Sequence, residues 1–499
     1  MAGSGVTGRR WAIAVAALLI AMGSLWQLEA MRDGLMVEAT RVDRTPVTYQ
    51  ALPDARGPVV VIAHGFAGSQ QMMASFALTL AQSGYRVASF DFQGHGRNPE
   101  PMSGDVTVVE GTTALLVAET REVIAAARAR WGLTTDAPVG LLGHSMASDV
   151  VIRAALAEGA GVAAVVAVSA YSEAVTATAP TRLLVINGEG EPHLRAEALR
   201  MLHQVAPEAG EGETVRGAGG VVRRVVSAPL VEHVSVLSSG TALRESRAWL
   251  DAAFGRESTG AILKAGPWVV ALLAALWLLF RSFVALIPGG VRAARPDAPG
   301  WPRQLGAGVL AGAVSALAAL PVGTLGLPVQ GFGPLAVHMA VFGGVLVAAL
   351  GPAARRAAGP LWAGLVLALW GIGAFGLALD RYGASFWPVG PRWAAFALLL
   401  PGTILTFWAE RAALAGRGIG SALILRGALL LSLCAMLLSG AGERFVLFIA
   451  LVVLVLFWLV LAPAGRWVAN RAGPGAGALG LGVLLAWAWA ASVPLFAAM

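Results

Sequence analysis

Cysteine is almost missing from this 499-residue chain: Cys434 is the only one, so no intrachain disulfide can form and the folded parts must rely on their own cores. Lysine is as scarce, with Lys264 alone among 36 basic residues, a bias associated with GC-rich bacterial genomes that carries no mechanism. Charge is sparse as well. Only 13% of residues are charged against 57% hydrophobic, too apolar for an ordinary soluble protein of this length. Acidic residues nearly vanish after residue 260, where long apolar runs are broken mainly by arginine. Although the formal net charge is +7, no basic stripe with interleaved aromatics exists, which argues against a nucleic-acid partner. No metal or cofactor motif is found, and none is expected.

What is present divides the chain in three. Residues 11–28 (WAIAVAALLIAMGSLWQL) are long enough for one crossing and follow Arg9 and Arg10, so residues 1–30 read as a signal anchor. Residues 31–258 read as a soluble domain and 259–499 as a membrane domain. The latter holds eight apolar spans, near 265–286, 305–325, 333–353, 360–379, 393–409, 419–438, 445–463 and 476–497. With a cytoplasmic N-terminus, the inner loops receive Arg292, Arg295, Arg303, Arg355, Arg356, Arg411, Arg417, Arg466 and Arg471, and the outer loops only Arg381, Arg392 and Arg444. That positive-inside bias places the soluble domain outside the cytoplasmic membrane, in the periplasm or at the cell exterior of a bacterium. Ionisable residues inside the spans are few: His338, which reads as a packing histidine, and Arg281 and Arg426, near enough to the inner ends to snorkel.

In the soluble part, short β-branched runs alternate with amphipathic stretches, the pattern of a mostly parallel sheet flanked by helices. Strands are expected at 59–63, 85–90, 139–143, 162–169, 182–187 and 221–227, and helices at 70–83, 112–130, 146–158, 193–205 and 241–254. MVEATRV and VTYQ can add an antiparallel hairpin at the edge.

Three motifs stand at strand ends. Gly143-His144-Ser145-Met146-Ala147 lies between a strand and a helix, where a sharp turn lifts a serine hydroxyl above the sheet. His64-Gly65-Phe66 follows the strand at 59–63, and Asp91-Phe92-Gln93-Gly94-His95-Gly96-Arg97 follows the next. Together they resemble the α/β-hydrolase superfamily: its GxSxG nucleophile elbow, with Ala147 for the last glycine, its oxyanion turn, and its DxxGHGxS turn. The resemblance covers roughly residues 35–255. It implies an α/β-hydrolase fold with Ser145 as nucleophile and the Phe66 and Met146 amides as oxyanion donors. The superfamily order then supplies an acid and a histidine. His233 follows the last strand and takes the base position, while Glu191, with Glu189 and Glu173 as alternatives, takes that of the acid.

Only about a dozen residues separate Ser169 from Arg182, too few for the helical lid of many relatives, so an open site is expected. The implied activity is acyl transfer to serine and then to water, from carboxylic esters, at a lipid bilayer and on a small-molecule or lipid-like acyl substrate. Two readings remain beside it. The acyl group can pass to an envelope component, making an acyltransferase, or the spans can be the working part of a transporter or scaffold beside a hydrolase-like binding domain.

Overall fold

The computed structural model describes residues 2–105, 109–288, 299–352, 358–414, 417, 419–439 and 445–498. Two compact units make up the chain: Gly23–Ala271 with Asp380–Ser385, and Met1–Met22 with Leu272–Leu379 and Phe386–Met499.

The first unit is a single nine-stranded sheet in the order β1-β2-β4-β3-β5-β6-β7-β9-β8. Its strands are β1 (Met36–Val42), β2 (Thr45–Ala51), β3 (Val59–Ala63), β4 (Arg86–Phe90), β5 (Val139–His144), β6 (Val162–Val168), β7 (Arg182–Gly188), β8 (Thr214–Arg216) and β9 (Val222–Ala228). From β4 to β9 neighbouring strands are parallel; the β1–β2 hairpin and β8 pair antiparallel at the two edges. Helix α1 (Ala2–Ala30) precedes the sheet, and α2 (Ala74–Gln82), α3 (Ala114–Arg130), α4 (Met146–Glu158), α5 (Pro192–His203) and α6 (Gly240–Phe254) lie between and after the strands.

Strand β3 shows why the sheet is covered on both faces. Side chains alternate along a strand. Val59, Val61 and Ala63 pack with residues of α3, α4 and α5, whereas Val60 and Ile62 pack with residues of α2 and α6. A strand buried on both sides reads as an unbroken apolar run, which is what VVVIA is. Parallel strands with helical crossovers all end at one edge of the sheet, and loops at that edge carry Phe66, Asp91, Ser145, Ser169, Glu191 and His233.

The strands and helices expected from periodicity are all found, with ends shifted by a residue or two, except that α2 starts four residues late, after a 3-10 turn at Gln70–Met73. Strand β8 was not anticipated: its three residues are exposed or half-buried and carry no apolar run.

In the second unit, the apolar helices make a multi-pass membrane domain. Among the described residues seven helices, the N-terminal Gly8–Ala30 included, are long and apolar enough to cross a membrane, and a pair bent by 49° at Leu461 raises this to eight. A helix also forms at Trp301–Ala319, where a span was expected at 305–325, but it is not among the seven. Close packing depends on glycine: a Cβ at Gly343 would stand 2.6 Å from Thr406 N, and one at Gly482 2.5 Å from Ile404 Cα. His338 is buried, its Nε2 3.0 Å from both Ser315 Oγ and Ser432 Oγ, so it links three helices as a packing histidine does.

Two charges expected on loops are buried. Arg411 is buried beside Glu410, because the helix Arg392–Ala413 runs past residue 409, and the Arg426 guanidinium reaches the same carboxylate at 2.9 Å. Arg392, expected on an outer loop, is fully buried and donates to the carbonyls of Ala490 and Val493 at 2.9 and 2.7 Å. Helix C-terminal carbonyls lack intrahelical donors, which explains the attraction. Arg292, Arg295, Arg355, Arg356 and Arg444 lie outside the described residues.

Candidate active site

Ser145 sits between β5 and α4 with φ 55° and ψ −120°, a left-handed backbone that costs about 1–3 kcal/mol for a residue with a side chain. The turn is tight enough that a Cβ at Gly143 would lie 2.4 Å from the Ala147 carbonyl oxygen. Ser145 N–H donates to Val168 O at 2.8 Å, tying the turn to β6.

His233, five residues past β9, completes a chain of hydrogen bonds. Its Nε2 is 2.8 Å from Ser145 Oγ and its Nδ1 2.5 Å from Glu191 Oε1. A carboxylate can only accept, so Nδ1 carries the proton and Nε2 is left to accept from the serine hydroxyl. Glu191 Oε2 receives Gly188 N–H at 2.6 Å and Ser169 Oγ at 2.8 Å. Burial opposes its charge, but the bonds from His233, Gly188 and Ser169 outweigh it, and the carboxyl titrates below its ordinary range.

Of the three acids that fit the sequence, only Glu191 reaches His233. Glu189 is exposed and its Oε2 accepts Leu230 N–H at 2.9 Å; Glu173 is exposed and accepts the Tyr171 hydroxyl at 3.0 Å. Ser169 escaped the sequence reading. It has φ 51° just after β6, and nothing local marks it as a partner of a residue 22 positions on.

The oxyanion turn packs directly on the elbow. A Cβ on Gly65 would lie 2.9 Å from Ser145 Cβ and 2.9 Å from His144 Nδ1, so only glycine fits. Gly65 O is held by Gly68 N–H at 3.0 Å and by His64 Nδ1 at 2.8 Å. That carbonyl shares a planar trans peptide with Phe66 N–H, so fixing one fixes the direction of the other. Met146 is the first residue of α4, where N–H groups have no intrahelical acceptor. His64 Nε2 in turn accepts Phe92 N–H at 3.2 Å, and burial pushes the imidazole down, keeping it neutral.

The Asp91 turn is structural. Asp91 is buried and accepts Gln70 N–H at 2.8 Å and Arg97 N–H at 3.0 Å, and Gly96, at φ 51°, leaves room for its carboxylate. Gly94 also has positive φ, at 74°, and His95 packs edge to face on Phe66 at 5.4 Å. Below this turn Glu119 accepts Thr45 Oγ1 at 2.5 Å, Gln93 N–H at 3.0 Å and Asn98 Nδ2 at 3.0 Å. Burial pushes its carboxyl up to about 7. Sequence reading missed Glu119 because it stands mid-helix with no motif.

His144 was assigned to the elbow without a task. Its Nε2–H donates to the His233 carbonyl at 2.8 Å and its ring lies 4.9 Å from that of His233. Burial, then the neighbouring His233, lower it to about 4, so it is neutral in ordinary buffers. The crossover from Ser169 to Arg182 contains no helix, and the His233 side chain is 42% exposed. Among the described residues no three His, Cys, Asp or Glu gather as metal ligands.

A serine hydroxyl bonded to a neutral imidazole, itself oriented by a carboxylate, can attack a carbonyl carbon once the imidazole takes its proton. Amides beside it can hold the oxygen that becomes negative. Residues 54–215 match the family described as serine aminopeptidase, S33; the match takes in Ser145 and Glu191 and stops short of His233. No curated protein matches significantly. Among solved structures, a Thermus thermophilus protein is similar at 21% identity and a TM-score of 0.33, over 45% of this chain and 99% of that one. A Nitrososphaera gargenis carboxylesterase is 11% identical with a TM-score of 0.32, over 44% and 98%. A soluble variant of the Saccharomyces cerevisiae monoglyceride lipase is 12% identical with a TM-score of 0.32, over 44% and 96%.

Proposed function

We propose that the sheet-containing unit is an α/β-hydrolase enzyme domain and that the protein, with its multi-pass membrane domain, is a membrane-anchored serine hydrolase of carboxylic esters, working outside the cytoplasmic membrane of a bacterium. The observation that carries this reading is the bonded chain Ser145 Oγ, His233 Nε2, His233 Nδ1, Glu191.

In the proposed cycle His233 Nε2 takes the Ser145 proton as Oγ adds to the ester carbonyl. Glu191 stabilises the resulting imidazolium, and the Phe66 and Met146 amides hold the tetrahedral oxyanion. Collapse breaks the ester C–O bond, and His233 returns the proton to the leaving alkoxide. Water, deprotonated by the same nitrogen, then releases the acid and restores Ser145. A fluorophosphonate probe is expected to label the full-length protein and not Ser145→Ala; equal labelling of both would remove Ser145 as nucleophile.

The description of the matched family favours a second reading, cleavage of an N-terminal residue from a peptide. Amides pass through the same tetrahedral intermediate, so comparing aminoacyl anilides with p-nitrophenyl esters decides between them. The extracytoplasmic side rests on the inner-loop arginines. A cysteine introduced in the soluble unit of a Cys434→Ser protein is expected to react with an impermeant thiol reagent in cells whose inner membrane is intact, and protection until lysis would overturn it.

A further inference from the structure

The loops that carry the candidate triad at the edge of the hydrolase sheet also carry exposed apolar side chains, interspersed with exposed Glu173, Glu189 and Glu232. Tyr171, in the crossover after β6, and Leu230 and Val234, on either side of His233, are 55%, 95% and 54% exposed. Single exposed apolar side chains are ordinary. Leu230 is not, because it carries two unfavourable features together. Beyond its almost complete exposure it has φ 58°, in the left-handed region where a Cβ crowds the backbone.

The turn is held in that state. Leu230 N–H is captured by Glu189 Oε2 at 2.9 Å, and the next residue's carbonyl, Val231 O, accepts Gly190 N–H at 3.0 Å. A glycine would remove the strain and a polar side chain the exposed apolar surface. Neither is present, and among the described residues the side chain is left 95% exposed. Backbone strain of this sort gathers at ligand clamps, and this one is three residues from His233. With no helix in the crossover that carries Tyr171, an apolar partner can reach the rim from outside.

We propose that Leu230, with Tyr171 and Val234, is a clamp for the alkyl chain of the acyl ester, which makes the substrate class medium- to long-chain amphiphilic esters, not acetyl esters. The proposal rests on the serine-hydrolase reading and adds the substrate's chain to it. Covering a leucine with hydrocarbon favours a long chain by about tenfold or more over one too short to reach it.

The test uses the full-length protein in detergent micelles, with p-nitrophenyl octanoate and acetate as substrates. Wild type is expected to prefer octanoate in kcat/KM. Leu230→Ser should lower the octanoate value about tenfold and the acetate value less than about twofold. Leu230→Gly should lose the same chain preference while its Tm stays level or rises, because glycine is unstrained at this φ. Val234→Ser should show a smaller loss in the same direction. An octanoate preference unchanged in both Leu230 variants, or equal losses on the two esters, would overturn the clamp. Diisopropyl fluorophosphate, too small to need the clamp, separates the two levels. Wild type labelled at Ser145 but indifferent to chain length refutes the clamp alone, whereas no label at Ser145 refutes the hydrolase reading beneath it.

Discussion

Glu189 and Glu191 are two positions apart in one loop and differ in everything an acid partner of histidine needs. Glu191 is buried, bonded to His233 and supported at its second oxygen by Gly188 N–H and Ser169 Oγ; Glu189 is exposed and spent on Leu230 N–H. Glu191→Gln is therefore expected to cost kcat about 10³–10⁴-fold in steady-state ester hydrolysis, with Glu189→Gln losing far less. Glu119 sets a second expectation at this scale. Burial raises its folded-state pKa to about 7, above the unfolded carboxyl value of about 4.3. Its contribution to stability is fully present below the unfolded value, falls as pH rises because the unfolded chain ionises first, and levels off above about 7. Urea unfolding should show that decline between about pH 4 and 7, and Glu119→Gln should flatten it.

At the scale of elements, the sheet was legible because its code is local. VVVIA, and LLVI within RLLVING, are unbroken apolar runs since both faces are buried, and the helices between them keep their own period. The elbow was legible for the same reason: strand, turn and helix are consecutive. What sequence leaves open are contacts that close across loops. It favoured Glu191 without excluding Glu189 or Glu173, and it had no signal for Ser169, for His144 donating to the His233 carbonyl, or for Glu119 beneath the Asp91 turn. Two substitutions probe how the elements hold the site. Gly143→Ala puts a Cβ 2.4 Å from a backbone oxygen, so it should destabilise by about 2 kcal/mol or more and abolish probe labelling. His144→Phe keeps a ring beside His233 but removes the donor to its carbonyl. It should lower kcat about tenfold with KM and Tm little changed, and His144→Gln, which can still donate, should recover part of the loss.

For the molecule as a whole, apolar composition announced the membrane helices, but not which charges would be packed among them. A run ends by hydropathy at residue 409, yet the helix continues to Ala413 and pairs Glu410 with Arg411 and Arg426, a choice made by neighbouring helices. His338 is the same kind of feature: His338→Leu replaces two serine bonds by apolar contact and should shift thermal unfolding by only a few degrees, since such bonds average about 0.6 kcal/mol in membranes. Ester hydrolysis should be unchanged in that variant if the membrane helices take no part in the chemistry. An acyl enzyme at Ser145 in the intact membrane protein can be trapped by rapid acid quenching with p-nitrophenyl octanoate. A burst of about one p-nitrophenol per chain is expected and, by peptide mass spectrometry, an octanoyl group on Ser145 that is missing in Ser145→Ala. A burst that survives in Ser145→Ala, or an octanoyl group on another residue, would contradict it.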